Sequence, residues 1–169
     1  MANKINMKLS QKFSNHFKPL IFHLVGTTIM VLCLACLHFQ KEMIFVFEII
    51  WIIYTLPVLY LHLEYYLWNW NLLVDINDDS IKITKNGKQK TYPLDNLSRI
   101  LVYKSASLDN GGIQILPLES YFYAKILTKH NEVIIITCLI CPNLEDVIMK
   151  LNGIPYERKK KIFCSINSI

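Results

Sequence analysis

From Pro19 to Leu63 the chain runs for 45 residues with only three charged side chains, Lys41, Glu42 and Glu48. Few folds accept such a stretch. Residues 19–39 contain no Asp, Glu, Lys or Arg, and as a helix they would extend about 31 Å, close to a hydrocarbon thickness of about 30 Å. Residues 43–63 form a second run, interrupted by Glu48 and Pro57. The polar connection Gln40-Lys41-Glu42 is too short for anything but an antiparallel hairpin, and a buried helix pair would be shorter and carry a polar stripe. The spacing predicts a two-helix transmembrane hairpin over residues 19–70. Its last part, Glu64-Tyr65-Tyr66-Leu67-Trp68-Asn69-Trp70, has the aromatic content of a headgroup-level belt.

Composition supports a division of the chain. Residues 72–169 carry 13 Lys/Arg and 10 Asp/Glu, as a soluble domain does, so the overall 53% hydrophobic content and +5 charge average two unlike objects. A single soluble globule, a disordered chain and a collagen-like repeat are excluded. Lys4, Lys8, Lys12 and Lys18 precede the first run without an acidic residue among them, whereas the connection holds Lys41 alone. The positive-inside rule then predicts residues 1–18 as a basic cytoplasmic N-terminus, an outer loop, and a C-terminal domain back in the cytoplasm. Cys33-Leu34-Ala35-Cys36 resembles a lipoprotein cleavage box with Cys36 as the lipidated residue, but the apolar run is too long for a signal core and a second run follows.

Polar residues inside a bilayer are functional candidates. Glu48 falls about 7 Å below the outer interface by helical rise. Folding the hairpin about residue 41 sets Glu48 opposite Cys33 and Leu34, and sets Tyr54 and Thr55 opposite Thr27 and Thr28. The second group predicts a hydrogen-bonding layer beside Gly26, which permits close approach. Glu48 reads as protonated or reaching the outer headgroups, since ion movement would need more than two helices and hence an oligomer. His23 and His62 fall near the inner leaflet, where interfacial packing is favoured over metal binding.

After Asn71 the period changes from helical to alternating. Leu72–Asn77, Ser80–Lys85, Lys88–Tyr92, Arg99–Lys104, Ser120–Thr128 and Val133–Cys138 read as strands, with a short one at Ile113–Leu116. Asn86-Gly87 is a strong hairpin signal, and Ser105–Gln114 reads as a flexible loop. Asn143 can cap a helix whose residues Leu144, Val147, Ile148 and Leu151 form one apolar face, ended by Gly153 and Pro155. The expected fold class is α+β: the hairpin, then a small antiparallel open β-barrel over residues 71–152 closed by a C-terminal helix, then a basic tail over 153–169.

The strand order, the helix, and the phrases Asp79-Ser80-Ile81-Lys82-Ile83 and Tyr92-Pro93-Leu94-Asp95-Asn96-Leu97-Ser98-Arg99-Ile100 make residues 72–151 similar to the pleckstrin-homology-like (PH-like) domains of bacteria. Many of those follow two transmembrane helices. The resemblance implies a PH-like barrel, no shared catalytic machinery, and binding or scaffolding at a bacterial inner membrane. Two departures stand out. The first inter-strand loop, Asn77-Asp78-Asp79-Ser80, would repel a phosphate, so phosphoinositide is not the expected ligand. The Trp common in the family's terminal helix is absent from 143–151.

Cys138-Leu139-Ile140-Cys141 has redox spacing, but no βαβ unit precedes it, and a zinc set with Cys164 and His130 has irregular spacing. Buried, reduced cysteines are the expectation, as suits a reducing compartment. Arg158, Lys159, Lys160 and Lys161 form the sharpest charge cluster and are candidates for an anionic membrane surface, against the reading of a solvated tail. A net +3 in residues 72–169 without interleaved aromatics argues against nucleic acid. No catalytic triad, phosphate-cradling loop, metal site or cofactor motif is recognisable. The expectation is a non-enzymatic membrane protein whose domain binds a protein partner or the membrane surface through sheet edges and the Ser105–Gln114 loop. Immunity to an antibacterial toxin, and an oligomeric transport accessory, are the alternatives.

Overall fold

A computed structural model describes residues 6–37, 41–112, 114, 116–151 and 153–167. It opens on a strand, β1 (Asn6–Ser10), followed by two long helices, α1 (Phe13–Cys36) and α2 (Lys41–Asn69). Both helices have windows of mean hydropathy 2.1, only 11% and 17% of which are buried, so they are long and apolar enough to cross a bilayer. Core helices of that composition would be mostly covered. α1 begins six residues before the expected 19–39 and ends at Cys36, and α2 extends past both ends of the expected 43–63, because the turns at the hairpin's base stay helical and pack on the domain. Pro19 and Pro57 lie inside them.

Strands β2 (Leu72–Asn77), β3 (Ser80–Lys85) and β4 (Lys88–Pro93) follow, and β1 joins them in a four-stranded antiparallel sheet of order β1-β2-β3-β4. Asn86 and Gly87, at φ 50° and 76°, make the expected tight turn between β3 and β4, where both central residues need positive φ. A second sheet, of order β7-β6-β5-β8, is built from β5 (Leu97–Lys104), β6 (Tyr123–Thr128), β7 (Val133–Thr137) and β8 (Tyr156–Lys160). β8 runs parallel to β5, pairing Ile100 with Tyr156 and Lys104 with Lys160.

Several expectations change. The barrel is open as expected, but its strands are not all antiparallel: they form two four-stranded sheets, and β8 runs parallel to β5. Residues 6–10 are not merely a basic leader but an edge strand, with Met7 opposite Ile76 and Leu9 opposite Val74. Helix α4 (Leu144–Met149) buries Leu144, Val147, Ile148 and, just beyond it, Leu151, as its periodicity implies, but it is not terminal. The basic tail continues into the sheet as β8. The Ser105–Gln114 loop contains a short helix, α3 (Ala106–Asp109), whose first turn is capped by Ser105 Oγ accepting from Leu108 N at 3.1 Å. Lys4, the loop 38–40, and half of the strand expected at 113–116 (Ile113 and Ile115) lie outside the described residues.

Two apolar clusters hold the molecule together. In one, Val74, Ile76 and Ile81 of the first sheet meet Ile100, Val102, Ile126 and Ile136 of the second, with α4 among them. In the other, Val58, Leu61 and Tyr65 of α2 pack with Tyr121, Tyr123, Leu139, Cys164 and Ile166. The base of the hairpin is thus part of the core of the sheet domain.

Candidate functional site

The seam between hairpin and sheets is set by the period of α2. Val58, Leu61, Tyr65 and Asn69 recur at helical spacing and are buried, while Leu56, Tyr60, Leu63 and Leu67 on the other face stay exposed. Tyr65 therefore is not a belt residue. Its ring packs edge-on to Tyr121 at 5.3 Å between centroids, and its hydroxyl donates to Cys164 O at 2.7 Å. Trp68 is also half-buried against the core, with Lys85 Nζ over its ring at 4.6 Å, whereas Trp70 is exposed. Asn69 Nδ2 donates to Thr137 Oγ1 at 2.6 Å, and Asn15 Nδ2 on α1 donates to Leu139 O at 2.9 Å. The Glu64 carboxylate accepts from Ser165 Oγ, Ile166 N and Asn167 N at 2.9, 3.2 and 3.0 Å, fastening the C-terminal segment to α2.

A chain of rings crosses the same seam. His16 Nδ1 lies 3.0 Å from His62 Nε2, and His62 Nδ1 lies 2.9 Å from the Tyr121 hydroxyl. Gln11 Nε2 is 3.1 Å from the remaining His16 nitrogen. The sequence singles out His62 only as an interfacial residue; its partners, His16 in the first turn of α1 and Tyr121 before β6, are too far off in the chain for periodicity to pair.

The basic cluster is engaged within the fold. Arg158 Nε lies 3.1 Å from Glu145 Oε1, and Lys104 Nζ lies 2.9 Å from Glu145 Oε2 and 3.0 Å from Asp109 Oδ1. Lys160 approaches Asp109 at 3.8 Å, Lys159 pairs with Glu157, and Lys161 donates to Ser165 O at 3.4 Å. Tyr156 donates its hydroxyl proton to Glu145 at 2.6 Å. The Lys104 ammonium, hydrogen-bonded to Asp109, holds that carboxyl below its ordinary range. At Glu145, burial opposes ionisation, but the hydrogen bonds from Tyr156 and Lys104 outweigh it and leave the group lowered. A cleft of about 230 Å³ adjoins this network, lined by Lys104, Leu108, Phe122, Asn143, Glu145 and Asp146 among others.

In the hairpin, Tyr54 donates to Phe22 O at 3.3 Å, and a Cβ on Gly26 would overlap the Tyr54 hydroxyl. Gly26 thus admits that ring, and of the four residues placed in a hydrogen-bonding layer Tyr54 bonds across the two helices. Thr28 donates to Leu24 O of its own helix at 2.9 Å, while Thr27 Oγ1 and Thr55 Oγ1 have no partner among the described residues. Glu48 lines a groove of about 470 Å³ with Thr27, Val31, Leu34 and Trp51.

Cys138, Cys141 and Cys164 are buried free thiols. Burial pushes Cys138 and Cys164 each up to about 12, which leaves the nucleophilic thiolate scarce at neutral pH. The arrangement is suited to holding surfaces in place. Residues 4–148 match the family model described as a PH domain. No curated protein and no solved structure matches the chain.

Proposed function

Starting from a chain that belongs to the PH-domain family, we propose a non-enzymatic two-span protein of a bacterial inner membrane, whose PH-like domain lies in the cytoplasm and binds a protein partner. One observation carries this reading. The base of α2 is core to the sheet domain, with Val58, Leu61 and Tyr65 fully buried, so helices and binding module are one body. A module built this way presents a fixed face at a fixed distance from the bilayer.

The pairing of β1 with β2 supports a common side for the N-terminus and the sheets, and Lys8, Lys12 and Lys18 support the cytoplasm as that side. The internal engagement of Arg158, Lys159 and Lys160 favours a protein over anionic lipid as what the module recognises, because paired guanidinium and ammonium groups attract headgroups weakly. Edge strand β4, exposed along Lys88–Thr91, offers backbone groups for strand addition, with its lysines guarding against indiscriminate pairing.

Photo-crosslinking in the native membrane at Gln89 or Thr91 of the full-length protein tests the reading. A discrete protein adduct, abolished by Thr91→Pro, is expected, and adducts to lipid alone would contradict it.

A further inference from the structure

A turn after β8 is held in an unusual way. Cys164 and Ile166 are buried, Tyr65 bonds Cys164 O, and Glu64 takes three hydrogen bonds from residues 165–167. Phe163 stacks on Tyr60 with ring centroids 5.8 Å apart. Between β8 and this clamp, Ile162 is 74% exposed. Its exposure does not come from a loose tail, since the clamp and strand fix it on both sides.

The position of the turn along α2 gives the exposure a meaning. From Lys41 to Tyr60 the helix rises about 28 Å, and a hydrocarbon core is about 30 Å thick. Tyr60, and Phe163 stacked on it, therefore fall at the inner boundary of a bilayer that starts near Lys41. On α1, Phe22 lines a cavity together with Leu108, Gln114 and Phe122 of the domain. The domain thus reaches the hairpin at bilayer-boundary depth through the Phe163–Tyr60 stack, and Ile162, next to Phe163 in the chain, is exposed like Leu56, Tyr60 and Leu63 on α2.

We propose that the Ile162–Phe163 turn is an interfacial anchor, a third membrane contact that inserts between the acyl chains and headgroups and fixes the tilt of the sheet domain. The anchor rests on the membrane-spanning reading of α1 and α2. It needs no specific headgroup, since its contact is an apolar side chain beside an aromatic pair.

The test uses the full chain in vesicles of phosphatidylcholine and phosphatidylglycerol, with a photo-reactive diazirine side chain placed in turn at 162, 53 and 133. Position 53 lies mid-span, and Val133, also apolar and half-exposed, lies at the far end of β7 from the hairpin. Lipid adducts at 162 several-fold above those at 133, and comparable with those at 53, are expected. If position 53 labels lipid while 162 labels no more than 133, the anchor is overturned and the spanning reading stands. A crosslink from 162 to a second copy of the chain also overturns it. If 53 itself yields no lipid adduct, the spanning reading fails and the anchor falls with it.

Discussion

Tyr65 condenses the difference between composition and position. In the sequence it is one of a row of aromatics and fits a headgroup belt; in the fold it is wholly buried and anchors the C-terminal segment. Local composition cannot say which face of a helix meets a sheet that comes later in the chain. Tyr65→Phe removes only the hydroxyl's bond to Cys164 O and should cost about 1 kcal/mol. Tyr65→Ala empties a packed site and should cost about 3–5 kcal/mol. Denaturant unfolding of the detergent-solubilised full chain checks both; equal small effects would place Tyr65 at a lipid-facing surface after all. The cysteines were more legible, because a CxxC without a βαβ context reads as core. Their burial gives a second expectation: at neutral pH a water-soluble maleimide should leave Cys138, Cys141 and Cys164 unmodified in the folded protein and modify all three on unfolding. Rapid labelling of Cys138 in the folded chain would show that the seam is open.

Among the elements, β3, β4 and their Asn86-Gly87 turn were fully legible, since alternation and turn chemistry are local signals. Strand β8 was not. Arg158-Lys159-Lys160 reads as a tail because its counter-charges, Asp109 and Glu145, sit on α3 and α4 and meet it only after folding. This network sets a pH dependence whose sign is fixed. The folded-state carboxyls of Asp109 and Glu145 titrate below their unfolded values. Their contribution is thus present above the unfolded carboxylate range and lost as pH falls through the lowered folded values. Lys104→Met should lower the melting temperature at neutral pH and shrink the loss on acidification; an unchanged pH profile would mean that Lys104 does not set those carboxyls. Strand β1 was equally hidden, because its partner β2 lies beyond the whole hairpin. Deleting residues 1–10 strips β2 of Met7 and Leu9 and bares its edge, so limited proteolysis should cut the sheet domain markedly faster. Unaltered resistance would show that β1 is dispensable to the sheet.

For the whole molecule, the fold class and the hairpin were readable because two periods, helical and alternating, divide the chain at about Asn71. The parallel pairing of β8 with β5 and the joining of hairpin to core were not, since both depend on contacts between distant segments. What results is a PH-family chain in which the helix hairpin contributes residues to the core of the sheet domain. Ordinary tethers leave a domain free to tumble, whereas this seam leaves no linker between α2 and β2 beyond Trp70 and Asn71. The proposed membrane reading makes a sharp demand on the exposed stripe of α2. Spin labels at Ile49, Ile53, Leu56, Leu63 and Leu67, attached in a Cys33→Ala, Cys36→Ala background and reconstituted in phospholipid vesicles, measure it by collision with oxygen and with a water-soluble relaxant. Oxygen contact should dominate at Ile49, Ile53 and Leu56 and yield to the aqueous relaxant by Leu67; uniform access to the aqueous relaxant along the stripe would contradict a membrane-spanning hairpin.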